Sequence, residues 1–298
     1  MSKPLEFVLK QAPRDEADWW KASLPTRHQF DRSIDRAAAL GATADRLGYA
    51  FLGGYTAAIT ALDPTLSPDE LGALCATESG GGHPRAIQTT LVNGKLNGAK
   101  HFVSGGTLAT ALLIVAKTGE KNGRPELKVA RVRANAPGLE AEEGVELDFV
   151  PEIPHGTITL TDTPVEAVLE GDGYERYLKP FRTIEDLHVF AAILGCLISN
   201  GRKAFPQPTT EQLLGVLSAI LMLGREDPSA PEVHLALAGV LTTSRALIDS
   251  LDLTGLPPEF RTRFERDKPL LQIAQRVREQ RRVKAWESSH QVNPGGER

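Results

Sequence analysis

The feature that most constrains this chain is a series of tight-turn signals packed into its middle third. Between Asp63 and Gly173 the pairs Asn93-Gly94, Asn97-Gly98, Gly105-Gly106 and Asn122-Gly123 follow one another, preceded by the run Gly80-Gly81-Gly82. Asn-Gly accepts positive φ at both central positions of a two-residue turn, which makes it the strongest short-range hairpin signal. The segments between these turns, AIQTTLV, ALLIVAK, LKVARVR and TITL, are short and favour strands. Strands at that spacing predict an antiparallel barrel or sandwich of about 100 residues.

The flanks have a different texture. From Phe30 to Leu62 the chain is Ala-rich, with Ile34, Ala37, Ala38 and Leu40 at helical spacing. Residues 1–28 carry Pro4, Pro13, Pro25 and the pair Trp19-Trp20 without a period, and read as an extended arm docked through the tryptophans. After Gly173, helices are expected near 174–204, 210–224, 230–250 and 260–287. The connectors FPQPTT, REDPSAP and LTGLPP each contain proline, which stops a helix cleanly. Connectors that short favour an antiparallel bundle. The expected fold class is therefore α+β: a helical region over 1–62, an antiparallel β-barrel or sandwich over 63–173, and a C-terminal antiparallel helical bundle over 174–298.

Composition narrows the function classes. A net charge of −4 over 298 residues argues against a nucleic-acid binder, and 41% hydrophobic residues exclude a disordered chain. The longest apolar runs, VFAAILGCLIS and LLGVLSAILMLG, are too short to span a bilayer. The opening MSKPLEFVLK lacks the apolar stretch of a signal peptide. A soluble, cytoplasmic protein with no nucleic-acid or membrane partner is expected. Cys75 and Cys196 sit in apolar runs and read as small buried hydrophobes, so no disulfide or metal site is expected.

Residues 76–106 are more specific. ATESGGGHP leads through a hairpin to NGAKHFVSGG, and this stretch resembles the flavin-facing segment of the acyl-CoA dehydrogenase family. That family shows T-E-P-x-x-G-S-D followed by N-G-x-K-x-[WF]-[IV]-[TS]-N-G. Thr77, Glu78, Gly82, Asn97, Gly98, Lys100, Phe102, Val103, Ser104 and Gly106 match in type and order. The helix–β–helix layout is similar too, with shorter helical regions, so the chain resembles a shortened, divergent member. The resemblance implies FAD as cofactor, an acyl-CoA or related small-molecule substrate, and a homo-oligomer associated through the C-terminal bundle. It implies that Thr77 and Ser104 offer hydroxyls to the isoalloxazine and that Phe102 flanks its face. The glycine run is no P-loop, because no Gly-Lys-Ser/Thr follows it, and no βαβ unit supports a nicotinamide fingerprint.

Desaturation of an acyl thioester needs a carboxylate to take the α-proton. The family's commoner position for that glutamate lies in R-D-x-x-x-x-x-I-[YWF]-E-G. Here RDKPLLQIAQR matches Arg266, Asp267 and Ile273 but places Gln275, which cannot act as a base, where the glutamate would stand. The second family position is on the helix that opens the C-terminal domain, ten residues before a glycine. In FRTIEDLHVFAAILGC, Glu185 precedes Gly195 by that spacing and is the candidate base, with His188 one turn on as a polar-face histidine. Other departures are Ser79 for the motif's proline, His83-Pro84 for its Ser-Asp, and the lack of R-x-x-F-G and Q-x-x-G-G-x-G-Y segments, which in the family hold the flavin's adenine and diphosphate. The basic stretch RVREQRRVKAW reads as a solvated or carboxylate-paired helix face. The expected function is an acyl-CoA dehydrogenase-like FAD-dependent oxidoreductase acting on a CH–CH bond. Two alternatives stay open: a degenerate, non-catalytic scaffold or partner subunit, and a flavin monooxygenase of the same fold.

Overall fold

The computed structural model describes residues 3–15 and 18–291. In chain order come the helices α1 (Lys3–Lys10), α2 (Trp19–Ala22), α3 (Leu24–Arg27), α4 (Ser33–Thr43) and α5 (Leu47–Leu62). The strands β1 (Gly72–Cys75), β2 (Thr90–Val92), β3 (Lys95–Ser104), β4 (Ala111–Lys121), β5 (Arg124–Arg133), β6 (Leu139–Glu143), β7 (His155–Pro164) and β8 (Ala167–Val168) follow. A second helical series closes the chain: α6 (Lys179–Gly201), α7 (Gln207–Leu223), α8 (Pro231–Asp249), α9 (Pro258–Asp267) and α10 (Gln275–Gln291). Two compact units result, one built from residues 1–58 and 183–298, the other from 59–182.

In the second unit, one curled, mixed sheet runs β6-β7-β3-β2-β4-β5-β8, with β1 also on β4. Ala111 to Ala116 of β4 are buried without alternation, the pattern of a strand covered on both faces, and this accounts for the unbroken apolar run ALLIVA. Asn122 and Gly123 take φ of 52° and 68° and join β4 to β5; Asn93 and Gly94 take 49° and 73° and join β2 to β3. Both are hairpin turns of the expected kind. The third pair, Asn97-Gly98, is not a turn. It lies inside β3 at a shift of register, where Gly98 has φ of 145° and a Cβ would meet the Cα of Thr89 at 2.7 Å. The sheet also departs from the antiparallel expectation, because β1 runs parallel to β4 and Thr90 of β2 pairs parallel with Lys117.

In the helical unit, α6 is buried on all sides from Leu187 to Ser199, as an apolar helix at the centre of a bundle must be. It meets α4 backbone to backbone. A Cβ on Gly195 would stand 2.3 Å from the Ala38 carbonyl oxygen, and one on Gly41 1.9 Å from that of Ala192. Helices α7 and α8 are one-sided instead. Leu213, Leu217, Ile220 and Leu221 form the buried stripe of α7, and Val233, Leu237, Leu241, Ser244 and Ile248 that of α8.

The helical segments differ from expectation at two further places. The first residues are not an extended arm but the helices α1 to α3, and Trp19 is the anchor: its ring stacks on Tyr49 at 5.3 Å, and Nε1 donates to Thr43 Oγ1 at 3.1 Å. Trp20 instead lies under the Arg27 guanidinium, 3.9 Å from the ring centre. The single helix expected over 260–287 is two, separated by a 3-10 turn over Lys268–Gln272 and by Ala274 at φ of 63°. Pro269 cannot donate within a continuing helix, which is the physical reason for the break. Among the described residues, no helix is long and apolar enough to cross a membrane.

Candidate functional site

Thr77, Phe102 and Ser104 all belong to the β unit, and the structure brings their segments together. The His101 N–H donates to the Thr77 carbonyl at 2.8 Å, so the loop after β1 lies along the end of β3. Between Lys100, which pairs with Ile158, and Val103, which pairs with Gly156, the register shifts by one residue. His101 and Phe102 therefore oppose Thr157 alone, as in a β-bulge, which re-aims side chains. Phe102 has φ of 53° and is 62% exposed. An aromatic residue in the left-handed region is an outlier, and this one is held out to solvent. The Thr77 and Ser104 hydroxyls are half-buried and have no hydrogen-bond partner among the described residues. The patch thus combines an open ring face with two uncommitted hydroxyls, a donor set suited to the polar edge and flat face of an isoalloxazine.

Two residues of the same motif carry a role the sequence reading did not assign. Lys100 is fully buried and its Nζ donates to Glu78 Oε1 at 2.5 Å. Glu78 is 6% exposed; its Oε1 also accepts from the Thr89 hydroxyl at 2.7 Å and the Thr89 N–H at 3.1 Å, and Oε2 accepts from the Gln88 N–H at 2.7 Å. Burial pushes the Glu78 pKa upward, but the hydrogen bonds from Lys100, Gln88 and Thr89 together outweigh it and hold the carboxyl below its ordinary value. The signal was present as two opposite charges, Glu78 and Lys100, both at motif positions.

His83-Pro84 opens a short 3-10 turn, with His83 Nδ1 accepting from the Arg85 N–H at 3.2 Å. These residues line a cleft of about 890 Å³ with Lys121, Arg124, Asp172, Tyr174 and Glu175. Asp172 caps the turn at Tyr174, and Glu175 pairs with Lys179. The side chains of Arg85, Lys121 and Arg124 have no partner among the described residues. The cleft therefore offers uncommitted cations.

Glu185 belongs to the helical unit, half-buried in the second turn of α6. Its neighbour Asp186 is buried and accepts from Arg278 at 2.7 Å and from Arg281, so two arginines of the basic terminal helix are paired inside the bundle. Arg282 pairs with Glu279. Gln275 stands exposed at the first position of α10. His188 is not on a polar face. It is buried, its Nδ1–H donates to the Ile184 carbonyl at 2.7 Å, and its Nε2 lies 2.9 Å from Ser33 Oγ. Burial drives its pKa down to about 4. Cys75 and Cys196 are buried free thiols, and burial pushes Cys75 up to about 12, which leaves it unreactive. No cluster of three or more metal-ligating side chains occurs among the described residues.

No family model and no curated protein matches this sequence. Solved structures do match. Butyryl-CoA dehydrogenase from Megasphaera elsdenii aligns at a TM-score of 0.67 and 14% identity, over 96% of this chain and 98% of that one. PigA, solved with FAD and proline, aligns at 0.65 and 16% identity over 95% of each chain. Nitrososynthase from Micromonospora carbonacea var. africana aligns at 0.57 and 15% identity, over 87% of this chain and 82% of that one. The chain has an acyl-CoA dehydrogenase-like fold.

Proposed function

We propose that this chain is an acyl-CoA dehydrogenase-like, FAD-dependent oxidoreductase acting on a CH–CH bond of an acyl thioester. The observation that carries the reading is Phe102, exposed and in a left-handed backbone conformation at a bulge, beside the unpaired hydroxyls of Thr77 and Ser104. A bulky residue in that conformation costs roughly 1–2 kcal/mol, and such strain gathers at ligand-holding sites. Thr77 and Ser104 fit the isoalloxazine end of FAD, and Phe102 fits its face. When bound, the flavin supplies a two-electron oxidation. Glu185 is the proposed base, taking the α-proton of the thioester onto its carboxylate. The uncommitted Arg85, Lys121 and Arg124 support a phosphate-bearing thioester such as a CoA ester, since guanidinium and ammonium groups replace the hydration of phosphate oxygens. Association of copies through the C-terminal bundle completes the proposal.

The visible spectrum of the purified protein tests it first. Flavin absorption, present as isolated or gained on adding FAD, is the expected result, and a protein that stays colourless would favour the scaffold reading. With flavin bound, an acyl-CoA panel should bleach it anaerobically. Glu185→Gln should slow that bleaching by about 10²–10⁴-fold, the usual contribution of a general base. Gln275 at the commoner base position favours a second reading as a flavin monooxygenase of the same fold. That reading predicts no bleaching by acyl-CoA, and oxygen consumption once reduced flavin is supplied.

A further inference from the structure

The buried ion pair Glu78–Lys100 has a geometry that asks for a role beyond stability. A fully buried ammonium must shed its hydration, and apolar side chains of similar volume often serve a core equally well or better. What this pair does instead is tie two segments at defined points. Glu78 follows Thr77 directly, and Lys100 is the last residue in register before the bulge that turns Phe102 outward. The Glu78 carboxylate also gathers Gln88 and Thr89, so the whole loop from Thr77 to Thr89 is gripped from one point. The His101-to-Thr77 backbone bond lies between the pair and the presented ring. A Cβ on Gly98 would strike Thr89, which shows how closely this loop lies on β3.

We propose that Glu78 and Lys100 are positioning residues. Their ion pair fixes the loop carrying Thr77 against the bulge carrying Phe102, so that ring and hydroxyl are presented together to a planar heteroaromatic ligand. The proposal rests on the reading of this patch as the flavin site. Neither residue needs to touch the ligand; each acts through its neighbour, and both segments are set in place before any ligand arrives.

The test uses the full chain and two readouts, FAD affinity by flavin-fluorescence titration and amide hydrogen exchange in flavin-free protein. Lys100→Met keeps the side chain's bulk and removes the charge. It should weaken FAD binding about tenfold, the low end of what the loss of a hydrogen-bond partner behind a metal-holding side chain costs in metal affinity. It should also speed exchange at the His101 amide. Val129→Ala, in the fully buried part of β5, is the control for lost stability; it should lower the unfolding midpoint while moving neither readout. Equal FAD affinity and unchanged His101 exchange in Lys100→Met would overturn the proposal, as would a loss of affinity in Val129→Ala matching its loss of stability. If Lys100→Met does not fold, Glu78→Gln carries the same two measurements. A wild-type chain that takes no FAD would remove the flavin reading alone, and the His101 exchange rate would still decide whether the pair holds the bulge.

Discussion

At Phe102, conformation and the proposed ligand-facing role pull in different directions, and one substitution separates them. Glycine relieves the left-handed strain but adds backbone entropy to the unfolded chain, two effects of about 1 kcal/mol and opposite sign. Phe102→Gly should therefore leave urea-unfolding stability within about 1 kcal/mol of wild type while weakening FAD binding in a titration. His188 gives a pH dependence of definite sign. Its pKa is near 6.5 unfolded and about 4 folded, so between these values the unfolded chain binds a proton that the folded chain refuses. Stability should fall as pH drops from about 6.5 towards 4, by roughly 3 kcal/mol over the full window. Thermal unfolding at stepped pH should show this slope, and His188→Gln should flatten it. Glu78 adds a more acidic limb: its folded pKa is lowered, so its contribution is complete above the ordinary carboxylate range and is lost as pH falls through the lowered value. The residue types of this site were legible in the sequence, since Thr77, Phe102 and Ser104 sit in a recognisable motif. The bulge that gives Phe102 its exposure was not, because it depends on which residue of β7 each residue of β3 meets.

Among the elements, two hairpins were legible for a local reason: Asn93-Gly94 and Asn122-Gly123 need only their own two φ angles to turn the chain. Asn97-Gly98 has the same letters and a different fate. Asn97 accepts from the Asp162 N–H at 2.9 Å across the sheet, and Gly98 makes room for Thr89, so tertiary contacts override the turn preference. The helix pair α4–α6 shows the same dependence on partners. Gly195 served as a spacing marker for Glu185, yet its own requirement is the Ala38 carbonyl 2.3 Å from where a Cβ would stand. Gly195→Val should force the two helices apart and cost about 3 kcal/mol or more, an overpacking penalty at its upper range. Urea midpoints for this variant, beside an α7 control such as Gly215→Ala at an open position, should show a large loss for the first and none for the second.

On the scale of the whole molecule, the order helical, β, helical was legible from texture alone, because Asn-Gly turns and proline-bearing connectors mark the changes. Less legible was that residues 1–58 and 183–298 make one unit; nothing local to Gly41 announces that its partner is Ala192. A chain ending at residue 182 should consequently present the α4 face that α6 covers, bind a hydrophobic dye and be cleaved readily by protease between Ser33 and Leu62, whereas the full chain should resist. The contact of Gly41 with Ala192 also sets a schedule. During synthesis the first helices leave the ribosome long before their central partner exists. At roughly 5–20 residues per second, translating residues 59–182 takes on the order of 6–25 s. For that interval the α4 face that α6 will cover stays open in the crowded cell, although α1 and α3 already pack against α4. The yield of this protein should therefore depend on whatever shields nascent chains.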